Sequence, residues 1–247
     1  MIRHWTLLSI LSGVLCMAAA EAPRAQGYEA FYRKCYEDAA SEQVIISCTA
    51  VISRGLVDRN DLATAYKNRG DAYNDKGEYE QALADYARAI ETNPQDAEAF
   101  NGRGTTHIAQ ERYRLAVDDF DQAIRINPSS PVALGNRYFA KAVLGEFEQA
   151  LSDCNEALRV KRKYPAAYAS RAITYLKLKR YDDAIADYTA LLKGKPDNPY
   201  ALFGRGVARR MKGDARGGDG DVAAATSIKP DIAEHMSRLG IAPAESR

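Results

Sequence analysis

The sequence predicts an all-α protein, an α-solenoid built from short helix pairs, on three observations. Similar residues recur at a fixed period of 34 over about seven-tenths of the chain. Within each period, apolar and small residues follow the spacing of amphipathic helices. Of the 247 residues, 46% are hydrophobic and 27% are charged, which is typical of a globular chain. The net charge of +1 gives no bulk attraction to nucleic acid.

Residues 1–20 are predicted to be a secretory signal peptide. Arg3 and His4 precede an apolar run from Trp5 to Met17, and Ala18 to Ala20 then supply the small residues of a cleavage site. The run is shorter than the roughly 20 residues that span a bilayer, although a retained membrane anchor stays an alternative. We expect cleavage after Ala20 and a periplasmic or secreted mature protein, with no integral membrane segment left.

Residues 21–60 are predicted to form a helical hairpin. Tyr28–Asp38 and Gln43–Arg54 have amphipathic spacing, so Cys35 and Cys48 would face each other across it. In an oxidising compartment such a pair is expected to form a disulfide, worth about 3 kcal/mol by the chain-entropy estimate. Two buried thiols are the alternative.

The repeats are predicted to occupy residues 63–96, 97–130, 131–164, 165–198 and 199–232, followed by a capping helix and tail over 233–247. Each unit has small residues where two helices would pack closely, and four units end at a proline, which cannot donate to a continuing helix. The recurring positions include Gly70, Gly104 and Gly206, then Ala82, Ala116, Ala150 and Ala184, and finally Pro94, Pro128, Pro196 and Pro230.

The segments 68–73 (NRGDAY) and 80–86 (EQALADY) resemble the tetratricopeptide repeat, or TPR, family. The resemblance covers Ala63 to about Ile232 and adds nothing for the N-terminal hairpin. It implies a right-handed superhelix of about five helix pairs with a concave groove. It also implies binding of a protein or peptide rather than catalysis.

An arginine and an aspartate recur sixteen residues apart in every repeat. The pairs are Arg69 with Asp85, Arg103 with Asp119, Arg137 with Asp153, Arg171 with Asp187, and Arg205 with Asp221. The strict one-to-one recurrence favours an ion pair between the two helices of a repeat over five arginines that bind a ligand. Loss of one partner of such a partly buried pair is expected to cost up to about 3 kcal/mol.

Two departures from the repeat pattern carry expectations of their own. Cys154 replaces the aromatic residue of the other repeats and is expected to be a buried small hydrophobe. Gly217, Gly218 and Gly220 lie in the second helix of the fifth repeat, which is therefore expected to fray, since each costs roughly 1 kcal/mol relative to Ala. Residues Asp231 to Gly240 are expected to form the capping helix.

The groove of this family is lined mainly by the first helix of each pair. The candidate binding residues are therefore the outward-facing residues of the first helices, read at helical spacing. They change from polar to apolar along the chain: Lys67, Asp71 and Asn101, then Phe139, Val143, Ile173, Leu176, Phe203, Val207 and Met211. An apolar stripe of this size is typical of a binding site, unless the capping helix folds back over its last part. Some relatives of this family hold the C-terminal carboxylate of a chaperone in a clamp of Lys, Asn and Arg side chains. That function is excluded here, because the corresponding positions are occupied by Asp71, Gly102, Val132 and Asn136.

The sequence predicts a scaffold that binds a polypeptide and is not an enzyme. It has no phosphate-binding glycine loop, no serine nucleophile elbow and no expected cofactor or metal ligands; Asp214, Asp219 and Asp221 lack the spacing of a calcium loop. Charge is segregated, with a net of −6 over residues 21–130 and +6 over 131–247. A charge-driven assembly factor, binding an anionic envelope polymer or forming a homo-oligomer through the basic half, is the alternative.

Overall fold

The computed structural model describes residues 29–36, 40–55 and 57–241, and these residues are helical without a strand. The predicted signal peptide lies outside them. The chain divides after Gln110 into two compact units, here unit 1 and unit 2. Residues 29–36 belong to α1, and the other helices are α2 (Ser41–Arg54), α3 (Arg59–Asp75), α4 (Tyr79–Thr92), α5 (Ala97–Ala109), α6 (Tyr113–Ile126), α7 (Pro131–Val143), α8 (Phe147–Val160), α9 (Pro165–Lys177), α10 (Tyr181–Gly194), α11 (Pro199–Lys212), α12 (Ala215–Ile228) and α13 (Ile232–Arg238).

Local sequence signals account for where the first helices of the repeats begin. Asp96, Ser130 and Asn198 accept hydrogen bonds from backbone N–H groups of the first turns of α5, α7 and α11. Helices α7, α9 and α11 each begin with a proline, whose missing N–H costs nothing there. The starts of α5, α7, α9 and α11 coincide with residues 97, 131, 165 and 199, the first residues of the predicted repeats.

The predicted disulfide is present in unit 1. Cys35 and Cys48 are bonded, with their Cα atoms 4.8 Å apart, and both are fully buried. They pack with Val44, Val51 and Ala65, so the bond lies in the small core between the hairpin and α3. The cross-link therefore ties the N-terminal hairpin into unit 1.

The Arg–Asp ion pairs are confirmed for the four pairs that lie within one unit. In each, the guanidinium donates from Nε and Nη2 to the two oxygens of the carboxylate, as for Arg171 and Asp187 at 2.7 Å for both contacts. In three of the four, the third nitrogen also reaches the preceding helix: Nη1 of Arg171 donates to Asn155 at 2.6 Å, that of Arg137 to Asp121 at 2.7 Å and that of Arg69 to Thr49 at 2.9 Å. These arginines therefore join three consecutive helices.

Helix α12 is not frayed as expected. It is fourteen residues long, the same length as α8 and α10. Its glycines allow the backbones of α11 and α12 to approach closely. A Cβ on Gly218 would lie 2.7 Å from the carbonyl oxygen of Gly206, and one on Gly206 would lie 2.9 Å from that of Gly218. Packing against α11 thus offsets the low helix propensity of these glycines.

Candidate binding surface

The first helices of the repeats in unit 2 carry several exposed apolar residues. Helix α9 adjoins α7 through the Tyr138 hydroxyl, which donates to the Ser170 carbonyl at 2.8 Å, and it also packs against α11. We define the apolar stripe as Phe139 and Val143 on α7, Ile173 and Leu176 on α9, and Met211 on α11. Phe139, Val143 and Met211 are 46%, 48% and 45% exposed, and the other two are half-buried.

The capping helix covers the last part of the predicted groove. Phe203 and Val207 are buried in one core with Ile232 and Met236 of α13. The ring of His235 on α13 meets that of Tyr200 edge-on, with centroids 5.2 Å apart. Since Phe203 and Val207 are not accessible in this arrangement, the apolar candidates that remain accessible are the five residues of the stripe.

The polar candidates lie in unit 1, where two of them interact directly. Lys67 Nζ lies 3.4 Å from Asp71 and 3.2 Å from Glu98, and the Tyr86 hydroxyl donates to Asp71 at 2.6 Å. Burial lowers the pKa of Lys67, but Asp71 and Glu98 together raise it above its ordinary value. Asn101 lies one turn after Glu98 on α5. The Lys67 ammonium is therefore already paired with two carboxylates of its own surface.

A cavity of about 210 Å³ lies between α7, α8 and α9. Its lining residues are Val132, Gly135, Asn136, Tyr138, Asp153, Cys154, Ala157, Tyr164, Ala166, Ala167 and Ser170. None of these lining residues is among the ten candidate binding residues that the groove register gave. The signal that could have found the cavity is the 34-residue register, which places Cys154 where Tyr86, Phe120 and Tyr188 stand.

Cys154 is the buried residue that the sequence predicted. It is 3% exposed, and burial raises the pKa of its thiol to about 12. A thiol with so high a pKa has almost no thiolate at neutral pH and is a poor nucleophile or metal ligand. Within the described ranges, no group of three or more His, Cys, Asp or Glu side chains could hold a metal ion. No helix among these residues is both long and apolar enough to cross a membrane.

A family model described as tetratricopeptide repeat matches residues 67–131, 140–199 and 170–226, more than half of the chain. The protein therefore belongs to the tetratricopeptide repeat family. No curated protein sequence matches this chain.

Solved structures with the same fold include YrrB, described as a TPR protein with an unusual peptide-binding site. It has a TM-score of 0.67 and 23% identity, over 77% of this chain and 97% of YrrB. Pseudomonas aeruginosa pilF has a TM-score of 0.68 and 16% identity, over 87% and 99% of the two chains. MamA has a TM-score of 0.64 and 21% identity, over 70% and 94%. At these identities the similarity establishes the fold alone, and a TPR fold suggests a protein-interaction scaffold.

Proposed function

We propose that this protein is a non-enzymatic interaction scaffold of the cell envelope, and that it binds a polypeptide segment along the apolar stripe of unit 2. The exposure of Phe139 and Val143, one turn apart on α7, and of Met211 on α11 carries the proposal, because exposed apolar patches usually mark interaction surfaces. An amphipathic helix or an extended apolar segment could lie against such a stripe and bury these side chains.

The envelope location rests on the predicted signal peptide and is supported by the Cys35–Cys48 disulfide. Structural disulfides persist in oxidising compartments and are rare in the cytosol. Mass spectrometry of the mature protein should find Glu21 as its first residue, and fractionation should recover it outside the cytoplasm. A protein that keeps Met1 and stays in the cytoplasm would contradict this part of the proposal.

The binding surface can be tested by comparing matched charge substitutions. Phe139→Glu and Val143→Glu place charges on the stripe, at residues that are 46% and 48% exposed. Leu115→Glu and Ile228→Glu place charges outside the stripe, at residues that are both 48% exposed. We expect in-cell cross-linking and affinity capture to recover a polypeptide with the wild type and with the controls, and to lose it with the stripe variants. Equal recovery with all four folded variants would contradict binding at the stripe.

The charge-driven alternative is favoured by a basic segment before α9 and weakened by nearby ion pairs. Lys161, Arg162 and Lys163 are exposed, but Arg159 pairs with Glu156 and Arg180 pairs with Asp183. Binding to an anionic polymer should weaken steeply between low and high salt, whereas binding along the apolar stripe should persist. A steep loss of partner at high salt would therefore favour the alternative.

A further inference from the structure

In the first and fourth repeats, the ring of one tyrosine fills the space between neighbouring helices. Tyr86 and Tyr188 are 1% and 2% exposed. Each packs against a glycine of the following first helix: a Cβ on Gly102 would lie 2.5 Å from the Tyr86 ring, and one on Gly204 would lie 2.3 Å from the Tyr188 ring. The aromatic residue at this position and the glycine opposite it therefore form a complementary pair.

The third repeat changes both sides of this arrangement. Cys154 stands in the place of the tyrosine, and Ser170 stands in the place of the opposing glycine. The third repeat also has Tyr138 where the others have glycine or alanine, but its ring is held towards α9. Its hydroxyl donates to the Ser170 carbonyl and lies 2.8 Å from the Thr174 hydroxyl. Tyr138 therefore does not occupy all of the space that the missing ring leaves.

The remaining space is the cavity of about 210 Å³ between α7, α8 and α9. It exceeds the roughly 150 Å³ that suffices for a benzene molecule in an apolar protein cavity. Several of its walls are apolar, and it opens to solvent beside two exposed residues, Val132 and Ala166. Val132 lies on the same face of α7 as Phe139, at helical spacing, so the opening adjoins the apolar stripe.

The segment that precedes Tyr164, at one edge of the cavity, is basic. Lys161, Arg162 and Lys163 are exposed and directly precede Tyr164, which forms one wall. The Lys161 ammonium lies 5.2 Å from the centre of the Tyr164 ring. An acidic side chain close to the inserted group would therefore be attracted to this edge.

We propose that this cavity receives an aromatic side chain of the bound polypeptide, flanked in that polypeptide by acidic residues. The partner supplies the ring that Tyr86 and Tyr188 supply within their own repeats. The inference rests on the proposed function, since it names the chemistry of the segment that lies along the stripe.

The test combines defined probes with two ways of closing the cavity. Cys154→Leu fills it from within, and Ala166→Trp covers its mouth from an exposed position. Ala186→Trp on α10 is the matched control, because Ala186 is exposed and does not line the cavity. The probes are p-cresol and toluene, titrated by amide NMR, and peptides selected from a random library against the wild type.

We expect p-cresol or toluene to shift the amide signals of Gly135, Ala166 and Ser170, and the selected peptides to contain an aromatic residue beside Asp or Glu. Replacing that aromatic residue by alanine should weaken binding at least about tenfold, as expected for burial of one aromatic side chain. In Cys154→Leu and Ala166→Trp the same replacement should have almost no further effect, whereas in Ala186→Trp it should keep its full effect.

Three results would overturn the inference, and they separate it from the proposed function. Peptides that bind along the stripe but are unaffected by closing the cavity would refute the aromatic insertion and leave the scaffold function standing. Small probes that shift no amide around the cavity would also refute it. If no peptide binds the folded wild type and no small probe enters the cavity, both the inference and the proposed function fail.

Discussion

Two tyrosines at equivalent repeat positions, Tyr86 and Tyr188, should respond in opposite ways to removal of their hydroxyl groups. The Tyr86 hydroxyl donates to Asp71 at 2.6 Å. The buried Tyr188 hydroxyl has no hydrogen-bond partner among residues 29–36, 40–55 and 57–241. The register explains the difference, because the position of Asp71 in the first repeat is taken by Ile173 in the fourth. Burial raises the pKa of both phenols, so both stay protonated at neutral pH.

The expected magnitudes follow from these contacts. A hydrogen bond to a charged acceptor contributes about 1.5–3 kcal/mol, and Asp71 is 47% exposed, so Tyr86→Phe should cost about 1.5 kcal/mol. A buried hydroxyl without a partner costs about 1–3 kcal/mol, so Tyr188→Phe should increase the free energy of unfolding by about 1 kcal/mol. For a protein of this size, each kcal/mol corresponds to about 2–4 °C in Tm.

Native-state hydrogen exchange measures the two effects separately, since the residues lie in different units. Protection of the α4 amides should fall about tenfold in Tyr86→Phe, and protection of the α10 amides should rise severalfold in Tyr188→Phe. Thermal unfolding followed by circular dichroism should shift in the same directions. If Tyr188→Phe destabilises the protein as much as Tyr86→Phe, then the Tyr188 hydroxyl has a partner, such as a buried water, and the reasoning is refuted.

Three further predictions concern an Arg–Asp ion pair, the disulfide and the buried Cys154 thiol. Asp153→Ala should cost about 3 kcal/mol in urea unfolding, because it removes the buried carboxylate that Arg137 and Lys141 share and leaves Arg137 only the half-exposed Asp121. Glu156→Ala at a surface pair should change stability by about 0.5 kcal/mol or less. Replacing Cys35 and Cys48 by serine should expose α1 and α2 to limited proteolysis and cost about 3 kcal/mol, and unchanged cleavage would contradict this. Since burial raises the pKa of Cys154 from 9.0 to about 12, the unfolded chain loses this proton first. The free energy of unfolding should therefore be unaffected by this thiol below about pH 9 and should fall as the pH rises above about 9. Alkylation of Cys154 at about pH 8 should require denaturant.

Much of the fold could be predicted because the 34-residue register constrains it directly. The helix starts at Ala97, Pro131, Pro165 and Pro199 follow from caps and prolines that are visible in the sequence. The Cys35–Cys48 disulfide could be predicted for a similar reason, since two amphipathic segments joined by a short turn must lie side by side. The Arg–Asp pairs were predictable from strict recurrence, but their third contact to the preceding helix was not.

The details of the candidate site depend on packing between elements, which local patterns do not specify. Helical spacing places Phe203 and Val207 on the same stripe as Phe139, but it does not show that α13 covers them. Propensity alone predicts a frayed α12, because it omits the close approach of Gly206 and Gly218. The cavity beside Cys154 depends on the direction of a single ring, that of Tyr138, and on the backbone distance between α7 and α9.

The central claim, that the apolar stripe binds a polypeptide, is tested most directly by site-specific photo-cross-linking in cells. A photoreactive phenylalanine analogue is placed at Phe139, in the stripe, and for comparison at Ile228, which is equally exposed on α12. The account predicts a covalent adduct from position 139 that maps to one segment of a single polypeptide, and none from position 228. No adduct at position 139, or the same adducts at both positions, would contradict it.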